Sequence, residues 1–395
     1  MNDPILLPNG FRYRLDGNVG YGVSVSLTIP VGHSNARLGL AALFEQVLLR
    51  QFKLVQVEPG GTITSFYGGA DDAKMYPALL RHFLKMVNFR NFDQDTINAV
   101  VEDIALHTRD LAPLPARQMN LLYRFVAFDD EEKRRWDPEG YIETLKSYTV
   151  KDLQEYADTY MTGNNIILTV TGCFLNDESE ADDVRELVRD WFSDIAPGEV
   201  QPIINKVYSG GYERIEPSEN YRQFMLGWNI SDLHNVAEAN VMMMTLKMRI
   251  ERSFASMDAN SVVKISNYYG FRTLCISVSS HGEKDVNKLI DIVCANVKRL
   301  RTELASARRM ETSRQHAMSE KMGVFQEPLA RAVEIAWQLL GRGEMYDINE
   351  RLNVTWHVDA HDVREIAQEI FSGVLTYVVY APDDVYSYDE VKAKL

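Results

Sequence analysis

The sequence is poor in cysteine, and the little it has is scattered. Cys173, Cys275 and Cys294 are the only three in 395 residues, and no two stand at a CxxC spacing. That excludes a disulfide scaffold and a zinc knuckle. Each lies in an apolar run, as in Leu274-Cys275-Ile276 and Ile292-Val293-Cys294, so burial as small hydrophobes is expected. An odd, sparse set points to a reducing compartment. No apolar run approaches the roughly 20 residues of a membrane-spanning helix. The opening Met1-Asn2-Asp3-Pro4-Ile5-Leu6-Leu7 lacks a basic stretch followed by a long apolar core, so no secretory signal and a cytoplasmic location are expected. Positive charge is also scarce: 42 Lys and Arg against 56 Asp and Glu give a net charge of −14. That argues against nucleic acid and against an anionic membrane surface as partners. The paired glycines at Gly60-Gly61 and Gly68-Gly69 have no Lys-Ser/Thr after them, so neither is a phosphate loop.

What is present suits large cores. Hydrophobic residues make up 46% of the chain and aromatics 10%, and the length fits about two domains. Phe11 to Leu15 alternates as a strand, Asp16-Gly17-Asn18 turns, and Tyr21 to Ile29 alternates again. Gly32-His33-Ser34-Asn35 reads as a loop. Leu40, Leu43, Phe44, Val47 and Leu48 then carry the spacing of a helix over 38–52. Gly60-Gly61 breaks the chain before strand formers at 62–67. Helices are expected over 75–87, 95–106 (with Asp93 as N-cap), 152–160 and 181–192, with a buried strand at 166–170. Residues 196–216 hold Pro197, Gly198, Pro202, Gly210 and Gly211 and read as a linker.

The second half repeats the plan. Strands are expected over 221–228, 274–279 and 376–380, and helices over 236–254, 285–304 and 332–340. Asp152-Leu153-Gln154-Glu155-Tyr156-Ala157 matches Asp362-Val363-Arg364-Glu365-Ile366-Ala367 at an offset of 210 residues, and each leads into an apolar strand. One large duplication implies two homologous α+β domains, 1–195 and 217–395. Each is expected as a mainly antiparallel mixed sheet with helices packed on one face.

Several stretches resemble the M16 (pitrilysin/insulinase, inverzincin) peptidases. Leu7-Pro8-Asn9-Gly10-Phe11 is similar to the family's LxNGL opening. Gly140 to Leu153 resembles its GxxExIxxlTxxDL run. Tyr160, Asn164-Asn165 and Thr171-Gly172 resemble YxxxNmxlxxxGd. Family chemistry sits on one helix, in H-x-x-E-H. Two histidines four apart share a helical face and bind zinc, while the Glu acts as general base on the zinc-bound water. Here that frame falls on Gly39 to Leu49. The ligand positions hold Ala42 and Gln46, and only the base position, Glu45, is kept. The third ligand, the second Glu of E-x6-E, corresponds to Glu102, with Asp95 seven residues earlier. Neither Ala nor a Gln amide replaces imidazole, so no zinc is expected.

Thr64 and Ser65 stand where the family's substrate-contacting Asn-Ala lies on an edge strand. Ala255 and Val262 stand at the positions of an Arg and Tyr that hold the substrate carbonyl. His357 and His361, four apart, flank an expected helix start at Asp359, which favours surface or capping roles over a metal face. Met242, Met243, Met244 and Met248 read as core packing, with an adaptable binding surface as the alternative.

The resemblance implies a non-catalytic subunit that pairs with a catalytic M16 chain as a heterodimer around a peptide chamber. A stand-alone peptide-binding protein is the alternative, and an active metallopeptidase with a substituted site is the third reading.

Overall fold

The computed structural model describes residues 4–17, 20–33, 36–59, 61–128, 138–204, 206–216, 221–231, 233, 235–256, 261–268, 273–280, 285–343, 345, 347–381 and 384–395. Asn18, Ser34, Asn35 and Gly60 fall outside them.

Two sheets carry the fold. The first holds β1 (Ile5–Leu6), β2 (Arg12–Asp16), β3 (Val23–Ile29), β4 (Gln56–Pro59), β5 (Thr64–Ala70) and β6 (Ile167–Thr171), in the order β1-β2-β6-β3-β5-β4. The second holds β7 (Gly211–Ile215), β8 (Arg222–Asn229), β9 (Ser261–Tyr268), β10 (Thr273–Ser280) and β11 (Leu375–Tyr380), in the order β7-β11-β8-β10-β9. Apart from β1 the two orders coincide. In both, the strand that closes the repeat pairs parallel with the opening strand and antiparallel with the next: β6 with β2 and β3, β11 with β7 and β8. Each is therefore a mixed, mainly antiparallel sheet, and the fold is α+β.

The helices of the first half are α1 (Leu40–Gln51), α2 (Tyr76–Val87), α3 (Gln94–Leu111), α4 (Pro115–Phe128), α5 (Pro138–Lys146), α6 (Val150–Tyr160) and α7 (Glu178–Phe192). Those of the second are α8 (Val236–Ala255), α9 (Val286–Thr302), α10 (Ala307–Gln326), α11 (Pro328–Arg342), α12 (Ile348–His357), α13 (Ala360–Phe371) and α14 (Tyr388–Lys394). The duplication extends to the caps. Thr149 and Asp152 form a capping box on α6, and Asp359 and Asp362 form one on α13, 210 residues later. Asp93 caps α3 by accepting from the Thr96 amide at 2.7 Å.

Alternation decides which face of each strand meets which helix. In β3, Val23, Val25, Leu27 and Ile29 join the main core with Leu43, Phe44 and Val47 of α1 and Leu80 and Phe83 of α2. The alternate residues, Ser24, Ser26 and Thr28, are buried as well, which a one-sided helical layer does not explain. Their cover is α11. Trp337 Nε1 donates to Ser65 Oγ at 2.9 Å, Thr171 Oγ1 donates to the Pro328 carbonyl at 2.7 Å, and Ile335, Ala336 and Leu339 pack on Ile167. Arg331 Nε bonds Asp16 Oδ2 at 2.9 Å with both side chains buried.

The second sheet is covered in the same way by α4. Its Met119, Leu122, Tyr123 and Val126 pack on Met225, Cys275 and Val378, while Phe224, Leu226 and Trp228 point into the other core. Gly227 makes this possible, because a Cβ there would lie 2.0 Å from the Tyr123 hydroxyl. So each half lends one helix to the sheet of the other. The compact units are 1–106 with 139–205 and 321–348, and 107–138 with 206–320 and 349–395. The expectation of helices on one face only is corrected accordingly: each sheet also carries a helix on its second face.

The stretch 196–216 is held at both ends. Asn164 Nδ2 donates to the Gly198 carbonyl and Asn165 Nδ2 to that of Glu199, each at 2.7 Å, and 211–215 is strand β7. Among the described residues no helix is long and apolar enough to cross a membrane.

Candidate functional site

Helix α1 begins at Gly39, whose φ of 76° is left-handed and whose missing Cβ would sit 2.6 Å from Leu145 Cδ2. The helix turns Leu43, Phe44, Val47 and Leu48 into the core, and Glu45 goes with them: its side chain is buried, while Gln46 is exposed and Ala42 half-buried. A buried carboxylate needs partners. Glu45 Oε2 lies 2.8 Å from His33 Nε2, and Glu45 Oε1 accepts from Thr64 Oγ1 at 3.0 Å. Tyr156 of α6 stands nearby. Burial first, and then the Glu45 charge, push its phenol well above the ordinary range.

Of the residues singled out by sequence, Glu45 and Thr64 are thus in contact. Ser65 points to the opposite face of β5, where its hydroxyl meets Thr28 Oγ1 at 2.7 Å as well as Trp337. Neither Thr64 nor Ser65 is on an edge strand. β4 pairs outside β5, with Glu58 opposite Ser65 and Pro59 opposite Thr64, so the sheet ends at β4 and both side chains are fully buried. The expected edge position is corrected by this extra strand, which lies in the segment between α1 and the paired glycines.

Glu102 is exposed on α3. Its neighbour Asp103 is the residue that reaches α1, through an ion pair with Arg50. Ala255 ends α8 and is exposed, and Val262 is 66% exposed on β9, the outermost strand of the second sheet. His357 bonds its own helix at the Asn353 carbonyl, and His361 lies in the first turn of α13 behind the Asp359 cap, so the two belong to different helices. Met242 and Met243 are core residues.

The donor set does not fit a catalytic zinc. The two imidazole positions hold a methyl group and an exposed amide, and the base carboxylate has both oxygens engaged by His33 and Thr64. Among the described residues no three His, Cys, Asp or Glu side chains gather as a metal site. His33, the partner of Glu45, is the residue of this cluster that sequence reasoning passed over. The available signal was a histidine in the loop leading directly into the helix of Glu45.

Residues 147–315 match the family model described as the peptidase M16 inactive domain. Over that stretch the chain is an M16 peptidase homologue. Solved structures agree in fold. A chain of complex III2 from Candida albicans superposes with a TM-score of 0.81 at 12% identity, over 100% of this chain and 99% of that one. A protease from Helicobacter pylori gives 0.79 at 14% identity, covering 97% and 100%. The periplasmic protease PqqL from Escherichia coli gives 0.75 at 14% identity, with this M16 homologue spanning 49% of its length. No curated protein matches the sequence. The matched stretch runs from the last turns before α6 into α10, so the α1 motif lies outside it.

Proposed function

We propose that this M16 homologue is a non-catalytic subunit that pairs with a catalytic M16-type chain, forming part of the wall of a peptide chamber and binding no zinc itself. The observation that carries the reading is the state of α1. Ala42 and Gln46 occupy the ligand positions, and Glu45, the remaining member of the motif, is buried against His33 and Thr64. With one bond already on each oxygen and the side chain buried, the carboxylate is poorly placed to take a proton from an attacking water. The inactive-domain match supports the reading, as does the likeness to one half of PqqL. Three unpaired cysteines suit a reducing compartment such as the cytoplasm.

The test is to mix the chain with M16-type chains that keep an intact H-x-x-E-H and to measure association and peptide cleavage. A stable heterodimer whose cleavage exceeds that of the catalytic chain alone, and survives Glu45→Gln in this chain, is the expected result. A monomer that binds peptide without pairing with any of them favours the stand-alone binding protein. One zinc per chain, lost in Glu45→Gln or Glu102→Gln, would restore the metallopeptidase reading.

A further inference from the structure

Helices α8, α9 and α10 meet around one guanidinium. Thr245 of α8 bonds Ser313 of α10 through their hydroxyls at 2.8 Å. One turn further along α8 stands Arg249, and one turn back on α10 stands Arg309. On the other side, Asn296 of α9 donates to Ser253 Oγ at 3.2 Å, and Ser253 Oγ donates to the Arg249 carbonyl at 2.9 Å. Arg299 lies one turn beyond Asn296. Arg249 itself is 7% exposed, and its Nε and Nη1 are buried with no hydrogen-bond partner among the described residues. A buried, unpaired guanidinium is costly, since desolvation of its charge goes uncompensated.

The surroundings make the anomaly larger. Burial first, and then the charge of Arg309, pull Arg249 below the ordinary arginine range; Glu303 opposes this and Arg299 adds to it. The first turn of α10 contains Arg308 and Arg309 and no acidic residue, although a helix N-terminus favours anions. In a chain whose net charge is −14, positive charge is concentrated at one helix junction.

We propose that Arg249, Arg309 and Arg299, between α8, α9 and α10, form a binding site for a phosphate-type oxyanion. Of the charged groups acting on Arg249, two are guanidinium groups and one is the carboxylate of Glu303; with Arg249 itself that leaves an excess of two positive charges, which a phosphate dianion matches and a lone carboxylate does not. Arg249 supplies buried donors, where charge-assisted hydrogen bonds are strongest, and the half-buried Arg309 and exposed Arg299 complete the site toward solvent.

The test follows thermal unfolding of the full chain while inorganic phosphate is titrated against chloride at constant ionic strength. A ligand that binds only the native state raises the melting temperature in a concentration-dependent way. The expected result is a phosphate-specific rise that Arg249→Met abolishes and that needs about tenfold more phosphate in Arg309→Gln. Without phosphate, Arg249→Met should be at least as stable as the parent, because it removes an unpaired buried charge. A rise with phosphoserine as large as with inorganic phosphate identifies a phosphoryl group on a larger ligand; a response to inorganic phosphate alone identifies the free ion. The proposal is overturned by a rise no larger than chloride gives, by an unchanged response in Arg249→Met, or by a loss of stability in that variant without phosphate. If Arg249→Met does not fold, an undiminished phosphate response in Arg309→Gln overturns it equally.

Discussion

Both oxygens of Glu45 are engaged, Oε2 by His33 and Oε1 by Thr64. These two residues hold the buried carboxylate in place on α1, which its position in the sequence alone does not reveal. The cysteines show the same dependence on surroundings. Burial pushes the Cys294 thiol up to about 12 and Cys275 higher still, whereas Cys173 is exposed. Only thiolates alkylate at useful rates. Under native conditions at neutral pH, iodoacetamide should therefore label Cys173 alone, and all three cysteines should react after denaturation. Peptide mass spectrometry reads the outcome, and native labelling of Cys275 or Cys294 would contradict the packing described on the two faces of the second sheet.

At the scale of elements, the repeated capping boxes set the starts of α6 and α13 and hence the entry into β6 and β11. Asp359 has its carboxyl held below the ordinary 3.8, first by the backbone amide of Asp362, against a smaller opposing effect of burial, and then by that of His361. A carboxylate depressed in the folded state contributes stability that is complete above the unfolded value and is lost as pH falls through the folded one. Asp359→Asn keeps a capping acceptor but removes the titration. The gap in urea stability between parent and variant should be constant near neutral pH and close on acidification below the ordinary carboxylate value of 3.8, as pH falls through the depressed folded value. Helix α4 offers a steric test. Gly227→Ala places a methyl group against the Tyr123 ring and should cost about 1–3 kcal/mol by overpacking. A lowered urea midpoint checks this, and an unchanged midpoint would show that α4 does not sit on β8 as closely as described.

At the scale of the molecule, the exchange of α4 and α11 binds the two halves of the sequence into units that neither half makes alone. Cutting in the 196–216 stretch leaves the first half without the helix that covers Ser24, Ser26, Thr28 and Ser65. It leaves the second without the cover for Met225, Cys275 and Val378. Separately expressed fragments 1–205 and 206–395 should each lack a cooperative thermal transition, and mixing them should restore one, measured by circular dichroism. Cooperative folding of either fragment alone would show that the exchanged helices are dispensable.

Much of this was readable from local pattern. Alternation marks β2, β3, β8 and β10, helical spacing marks α1, α2, α6, α7, α8 and α9, and the Asp152/Asp362 match reveals the duplication that the two sheet orders express. These features are local or repeated, so neighbouring residues encode them. The motif arithmetic at Ala42, Glu45 and Gln46 is likewise a property of spacing. Three things were not encoded nearby. β4 is a short edge strand of Gln56-Val57-Glu58-Pro59 with no strong alternation, and only its pairing with β5 makes it a strand and moves Thr64 and Ser65 inward. The buried Ser and Thr of β3 look like a solvent face until Trp337 and Arg331 arrive from some 300 residues away. The engagement of Glu45 depends on how the His33 loop and β5 converge on α1. Sequence determined the elements, the repeat and the presence of Ala42, Glu45 and Gln46 at one helical spacing, because these follow from side-chain type and order. Which helix covers which sheet, and what Glu45 bonds to, only the tertiary structure decided, because burial and hydrogen-bond partners are set by residues distant in the chain.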